Sequence, residues 1–322
     1  MHSDSSFLDL VCCADARYAQ PVAALLASVV ENTRDPGRCR LWLVTNAASE
    51  QSFGAVAEVA KATGASIVTR VIEDRELPAP AAGSYYTKAS MYRILFPGLL
   101  PEQVTRALYL DSDIIVRADV AELFALELAD NYIVAAVNNA GGSGPAIVPA
   151  GVGYFNAGLL LIDLVKWRKQ RLEEKLLIFA RTHESALVFY DQDALNAVIA
   201  GAWLPLDPRW NQQYEHFLVA PEVTCLDVPV LRQVQKNPFA VHFSGASKPW
   251  HFRDDHPFKT EYFYYLDKTL FRGWRPRASG WRDWLRYLGR KPVPFRVRPW
   301  LHGIIKLKRR SILVRQAEVH RG

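Results

Sequence analysis

Ala107-Leu108-Tyr109-Leu110-Asp111-Ser112-Asp113 is the stretch whose reading decides the fold and points to the site. A short apolar run bounded by charge reads as a buried strand, here residues 107–110. Carboxylates at i and i+2 lie on one face of an extended chain, because side chains alternate with period two. A divalent cation needs converging oxygen ligands, and Mg²⁺ or Mn²⁺ leaves further positions open to phosphate oxygens. Acidic pairs also decorate solvated loop ends, so the neighbouring sequence has to discriminate.

Upstream, Leu8–Cys13 is another apolar run, followed by the loop Ala14-Asp15-Ala16-Arg17. Pro21 opens an Ala-rich helix over residues 21–30, at a position helices tolerate. Residues 41–44 predict the next strand, 50–63 the next helix closed by Gly64, and 67–71 a third strand. This β-α-β-α-β alternation predicts an α/β fold, an open, mainly parallel sheet with helices on both faces. Ligands of such sheets bind beyond the carboxyl ends of strands, where Asp15 and the Asp triplet both fall. A Pro/Ala/Gly-rich stretch, 77–83, separates this half from a helical segment over 88–96. Further strands are expected at 132–137, 155–162 and 240–243, with 141–144 a flexible loop and lid candidate.

Half of the 322 residues are hydrophobic and 22% are charged, which is globular composition. The four cysteines form no CxxC pair and read as reduced, buried thiols. No signal-peptide pattern opens the chain, and no apolar run approaches the ~18 residues of a membrane span. A cytoplasmic protein is therefore expected. The net charge of +6 is divided unevenly: from Lys268 onward sixteen Lys and Arg face two acids, leaving an acidic body. This predicts a catalytic body, 1–267, and a basic aromatic extension, 268–322, that meets an anionic partner.

The segment from Val241 to His251 places His242, Gly245, Lys248 and Trp250 close together. A neutral imidazole can complete a Mn²⁺ site beside carboxylates. Gly245 permits close backbone approach, and Lys248 can neutralise a diphosphate. Each residue taken singly is also compatible with a strand-end histidine and a surface lysine.

With Ala14-Asp15, Met91-Tyr92-Arg93, Leu108 to Asp113, Tyr154-Phe155-Asn156-Ala157-Gly158, Asp191-Gln192-Asp193-Ala194-Leu195-Asn196 and the His242 segment in this order, the chain resembles glycosyltransferase family 8. That family comprises retaining enzymes and includes bacterial lipopolysaccharide galactosyl- and glucosyltransferases. The resemblance implies a GT-A fold and a Mn²⁺ ion, with Mg²⁺ as the alternative, bound by Asp111, Asp113 and His242. It also implies a UDP-sugar donor, with Cys13, Ala14 and Asp15 beside base and ribose and Arg93, Ser112, Gly245 and Lys248 toward the rest of the donor. Gln192 falls near the anomeric carbon, and Asn156 and Asp191 supply the remaining oxygens. Asn139 stands where some relatives carry Asp, and with Trp250 it is the candidate for sugar and acceptor recognition. An amide is a poor nucleophile, which favours front-face displacement over a covalent adduct on Asp191. Asp191 or Asp193 is expected to cap a helix beginning near Ala194, with Asp191 facing the site.

The expected function is transfer of glucose or galactose from UDP-glucose or UDP-galactose to a saccharide or glycolipid in cell-envelope assembly. Two other readings compete. A metal-dependent phosphohydrolase would need a second metal cluster, for which no convincing spacing occurs. A non-catalytic membrane-surface protein would not need Asp111, Asp113, His242 and Lys248 all intact. In the extension, Trp281, Trp284, Leu285 and Leu288 follow helical spacing among arginines. That pattern suits an interfacial helix on the inner face of an anionic membrane, or a helix packed on the body. No motif for nucleic acid occurs.

Overall fold

The computed structural model describes residues 7–73, 88–130, 132–142, 144–219, 221–224 and 226–281. The stretch 77–83 and the tail helix beyond Trp281 lie outside these residues, as does Ser143 of the loop 141–144.

Among the described residues ten strands are formed: β1 (Leu8–Cys13), β2 (Cys39–Asn46), β3 (Ser66–Ile72), β4 (Arg106–Leu110), β5 (Ile114–Val116), β6 (Val134–Asn138), β7 (Phe155–Asp163), β8 (Trp203–Pro205), β9 (Gln212–Gln213) and β10 (Ala240–His242). Seven of them build one sheet in the order β3-β2-β1-β4-β7-β6-β8, in which β7 alone runs antiparallel to its neighbours. The remaining three make a small sheet, β5-β10-β9.

Every residue of β1 is buried, because helices cover both faces of the sheet. Ala19–Asn32 and Gly54–Thr63 pack on one face, and Tyr92–Leu99, Leu172–Thr182 and Asp191–Ile199 on the other, giving two apolar layers. The one acid within β1, Asp9, is paired by Arg40 at 2.6 Å and by the Trp42 indole N–H at 2.7 Å. That satisfies a charge which burial would otherwise penalise.

The expected helix over 50–63 is a 3₁₀ turn, Glu50–Phe53, followed by the α-helix Gly54–Thr63. It closes at Gly64 with φ 76°, a left-handed cap that glycine adopts without strain. Behind the sheet, Lys259–Leu266 docks on Ala19–Asn32, with Asn32 Nδ2 donating to Tyr265 Oη at 3.0 Å. The first basic residues of the extension are tied to the body: Lys268 pairs with Glu31 at 2.7 Å and Arg275 with Asp267 at 2.6 Å. No helix among the described residues is long and apolar enough to cross a membrane.

His216 ties pH to the frame of the site. The backbone N–H of Gln213 donates to its Nδ1 at 3.0 Å, so the ring is held neutral, and burial pushes its pKa down to about 4. Gln213 in turn accepts from Ala140 N–H at 2.9 Å and donates to Asn138 carbonyl at 2.9 Å, setting the turn after β6. A lowered histidine pKa gives stability that is complete above the unfolded value of 6.5 and lost as pH falls through about 4. The loss amounts to about 3 kcal/mol. Urea midpoints at pH 7 and pH 4.5 should differ less in His216→Gln than in the parent. Some slope should remain, because burial also pushes His256 down, to about 3.

Candidate functional site

The cavity at the carboxyl edge of the large sheet collects most of the expected residues. Cys13 and Ala14 reach it from the end of β1, and Asp111, Ser112 and Asp113 from the link between β4 and β5. Because β7 is reversed, its first residues open onto the same edge, which brings in Asn156. Asp191 and Gln192 enter on the first turn of the helix Asp191–Ile199. His242, Gly245 and Lys248 close the wall from β10 and the loop after it.

The two carboxylates converge for a reason other than strand alternation. The chain turns at the triplet, with Ile114 N–H bonded to the Asp111 carbonyl at 3.2 Å, so the pair sits on a turn rather than on extended backbone. Asp113 is joined to distant His242 by the small sheet, in which β10 runs antiparallel to β5 and Phe243 N–H bonds the Asp113 carbonyl at 2.9 Å. His242 Nε2 then lies 3.3 Å from Asp113 Oδ1 and 3.7 Å from Asp111 Oδ2. One ligand atom from each of the three residues falls within 4.8 Å of the others. Two carboxylate oxygens and an imidazole nitrogen suit Mn²⁺, Mg²⁺ or a similar divalent ion, so the donor set fits a metal. Gly158 makes room for this: a methyl group there would collide with His242 Cε1 and approach Nδ1 to 2.7 Å.

Cations brace the acids. Lys248 Nζ contacts Asp113 Oδ2 and donates to the Phe243 carbonyl at 2.7 Å. Burial opposes ionisation of Asp113, but Lys248 and then His242 outweigh it and hold the carboxyl well below the usual range. Arg93 bridges Asp111, at 2.8 Å, and Asp191, at 2.7 Å, and donates to the Ala157 carbonyl at 2.7 Å. Tyr109 Oη also donates to Asp111, at 2.7 Å. Asp191 is 2% exposed, and burial pushes its carboxyl up to about 7 against the pull of Arg93.

The amides on the opposite wall are held by backbone. Gln192 Oε1 accepts from Ala157 N–H at 3.0 Å and its Nε2 donates to Tyr154 Oη at 2.9 Å. Asn156 Oδ1 accepts from Gly158 N–H at 3.0 Å and from Asn211 Nδ2 at 2.9 Å. Its oxygen is therefore committed, and Asn156 offers the cavity an N–H donor rather than the oxygen expected of it.

Neither Asp191 nor Asp193 caps a helix in the way expected. The helix begins at Asp191, three residues earlier than the expected start, and no side chain caps it. Asp193 Oδ2 instead accepts from the N–H groups of Val188 and Phe189, both at 2.7 Å, and its Oδ1 from Tyr154 Oη, folding the preceding loop against β7.

Three expected residues do not line the cavity. Asp15 accepts from Arg17 N–H at 3.0 Å and pairs with the Arg17 side chain, capping the 3₁₀ turn Ala16–Tyr18. Asn139 Nδ2 donates within its own turn to Gly142 carbonyl at 3.3 Å. Trp250 stands behind Tyr18, ring centroids 5.9 Å apart, and also against Tyr262. Tyr18, Phe189 and Ser244 line the cavity without having been anticipated. The buried amides of Asn211-Gln212-Gln213 are the larger omission, and three amides beside Trp210 were the available signal.

An open α/β sheet of this order with an Asp-Ser-Asp turn, a histidine from the small sheet beside it and a cationic wall defines a GT-A type glycosyltransferase. The sequence pattern described as Glycosyl transferase family 8 matches residues 9–254, and the chain belongs to that family. It is 33% identical to general stress protein A of Bacillus subtilis over 270 residues, covering 81% of this chain and 94% of that one. It is 25% identical over 271 residues to lipopolysaccharide 1,2-glucosyltransferase of Escherichia coli, covering 82% and 79%. Among solved structures, the galactosyltransferase LgtC in complex with donor and acceptor sugar analogues superposes with a TM-score of 0.69 at 21% identity, over 85% of this chain and 99% of that one.

Proposed function

We propose that the protein is a retaining hexosyltransferase that moves glucose or galactose from UDP-glucose or UDP-galactose to a saccharide or glycolipid of the cell envelope. The observation that carries this reading is the convergence of Asp111, Asp113 and His242 on one wall of a cavity that Lys248, Arg93, Asp191 and Gln192 complete. The relatives named as lipopolysaccharide 1,2-glucosyltransferase and lipopolysaccharide 1,3-galactosyltransferase, the latter from Salmonella typhimurium, support the substrate class.

Breaking the bond between sugar and diphosphate builds negative charge on the leaving group and positive charge at the anomeric carbon. Asp111, Asp113 and His242 would hold a Mn²⁺ or Mg²⁺ ion, which when bound would supply positive charge to the leaving diphosphate. Lys248 and Arg93 add fixed positive charge on the same wall, already oriented by their carboxylate and carbonyl partners. Ser112 and Gly245 border the donor, Gly245 through a backbone turn at φ 81°. Cys13 and Ala14 face the nucleoside end of the cavity, and Asp15 acts there by holding the turn that carries Tyr18. Asn139 and Trp250 shape the surroundings of sugar and acceptor from behind the lining.

Displacement on the front face accounts for the opposite wall. Asp191 is buried and bound to Arg93, and Gln192 and Asn156 are anchored by backbone N–H groups. Asp191 thus steadies Arg93 and offers its second oxygen to the sugar, while the leaving diphosphate takes the proton of the acceptor hydroxyl. Recovery of a sugar covalently attached to Asp191 would overturn this assignment.

Incubation with a panel of nucleotide sugars and Mn²⁺ tests the donor. Release of UDP from UDP-glucose or UDP-galactose should exceed release of nucleotide from any GDP-sugar, and consumption of none of them refutes the reading. The basic extension supports a peripheral position on an anionic membrane. Trp274 and Trp281 are exposed where it leaves the body, beside Arg272, Arg275 and Arg277. The full chain should sediment with anionic liposomes and a chain ending at Thr269 should not; equal sedimentation rejects membrane contact.

A further inference from the structure

The polarity of the hydrogen-bond chain behind the metal-ligating residues follows from a single backbone group. Gly158 N–H is a donor only, so the Asn156 atom that receives it at 3.0 Å is the oxygen Oδ1. The Asn211 atom that meets this oxygen at 2.9 Å must then be the amide nitrogen, Nδ2. The other end of Asn211 is therefore its oxygen, and it lies 3.0 Å from His242 Nδ1. An oxygen of that kind only accepts, so His242 carries its proton on Nδ1. In the neutral ring that a metal ligand requires, Nε2 then carries the lone pair, aimed at carboxylate oxygens 3.3 and 3.7 Å away. Acceptors so placed repel one another unless a cation stands between them.

We propose that Asn211 is a positioning residue for both halves of the site. Its oxygen sets the tautomer and ring orientation that make His242 a metal ligand, and its nitrogen holds the Asn156 amide with the N–H side toward the sugar. This rests on the metal and sugar roles proposed above. Asn211 is fully buried on the 3₁₀ turn Pro208–Asn211, ahead of β9, and touches no part of the cavity itself. The amide supplies an acceptor at one end and a donor at the other. Ligating histidines depend on such outer partners, whose loss commonly weakens metal binding by about 10- to 100-fold.

Two substitutions in the full chain separate the two ends. Asn211→Leu removes both bonds, and Mn²⁺ affinity measured by calorimetry without donor should fall by about 10- to 100-fold. Asn211→Asp keeps the acceptor for His242 but sets a carboxylate oxygen against Asn156 Oδ1. It should bind Mn²⁺ as tightly as the parent or more tightly, yet lose at least about tenfold in kcat for UDP-sugar turnover at saturating Mn²⁺, with the metal requirement unchanged. Thermal melts identify a variant that has not folded, and Asn211→Asp, close in shape to the parent, carries the test if Asn211→Leu fails. Parental Mn²⁺ affinity in folded Asn211→Leu overturns the role toward His242. Weakened Mn²⁺ binding or parental kcat in folded Asn211→Asp overturns the division between the two ends. A parent chain that binds no Mn²⁺ overturns the metal reading itself and this role with it.

Discussion

Asp113→Asn should lose at least about 10³-fold in sugar transfer while retaining the parent circular dichroism spectrum. The substitution preserves shape and leaves an amide oxygen able to accept from the Lys248 ammonium, so the buried contact survives as an ion–dipole pair. It removes one of the two negative charges that, with His242, attract the divalent ion. No neighbour replaces it, since Asp111 is already engaged by Arg93 at 2.8 Å and by Tyr109 at 2.7 Å, and Asp191 is paired with Arg93. The check is a time course of UDP release at saturating Mn²⁺ together with a metal titration. Transfer within tenfold of the parent would remove Asp113 from the metal site.

The second large effect belongs to Lys248→Met. The ammonium is buried and bound to Asp113 and to the Phe243 carbonyl, so its position costs nothing to arrange when a diphosphate arrives. Its loss should lower kcat/KM for the donor by about 10²–10³-fold, the scale of a fixed charge acting on a developing anion. Mn²⁺ binding should survive, because all three ligands remain. Stability should behave differently with and without metal. Removing the cation leaves Asp113 buried beside His242 alone, and breaking a buried pair costs about 3–5 kcal/mol. A bound ion compensates the same carboxylate, so the drop in melting temperature should be largest in EDTA and small in saturating Mn²⁺. An equal drop in both media would show that Lys248 and the ion act on different groups.

Much of this was legible in the residues. β1 and β2 read as buried strands because both are apolar on both faces, and Gly64 marks its helix end through a backbone angle that few other residues adopt. The reversal of β7 was not legible, since its first eight residues are all buried and carry no alternation to mark direction or neighbours. β5, β9 and β10 have two or three residues each, too few for any period, yet they join Asp113 to His242. The Asp triplet was found for a partly mistaken reason: its carboxylates converge on a turn, not on a pleated strand. Asp193 looked like a cap by position and instead ties two nearby loop amides to Tyr154, a tertiary partner 39 positions away. Asn211 escaped notice because an amide among amides reads as loop polarity until its neighbours in space are known.

The most direct test of the central claim is a metal titration of turnover on the chain stripped with EDTA, following UDP release from UDP-glucose and UDP-galactose. The site of Asp111, Asp113 and His242 predicts a negligible rate without metal and a saturable recovery with Mn²⁺, absent from Asp113→Asn. A parent rate that is the same in EDTA as in Mn²⁺ would contradict it.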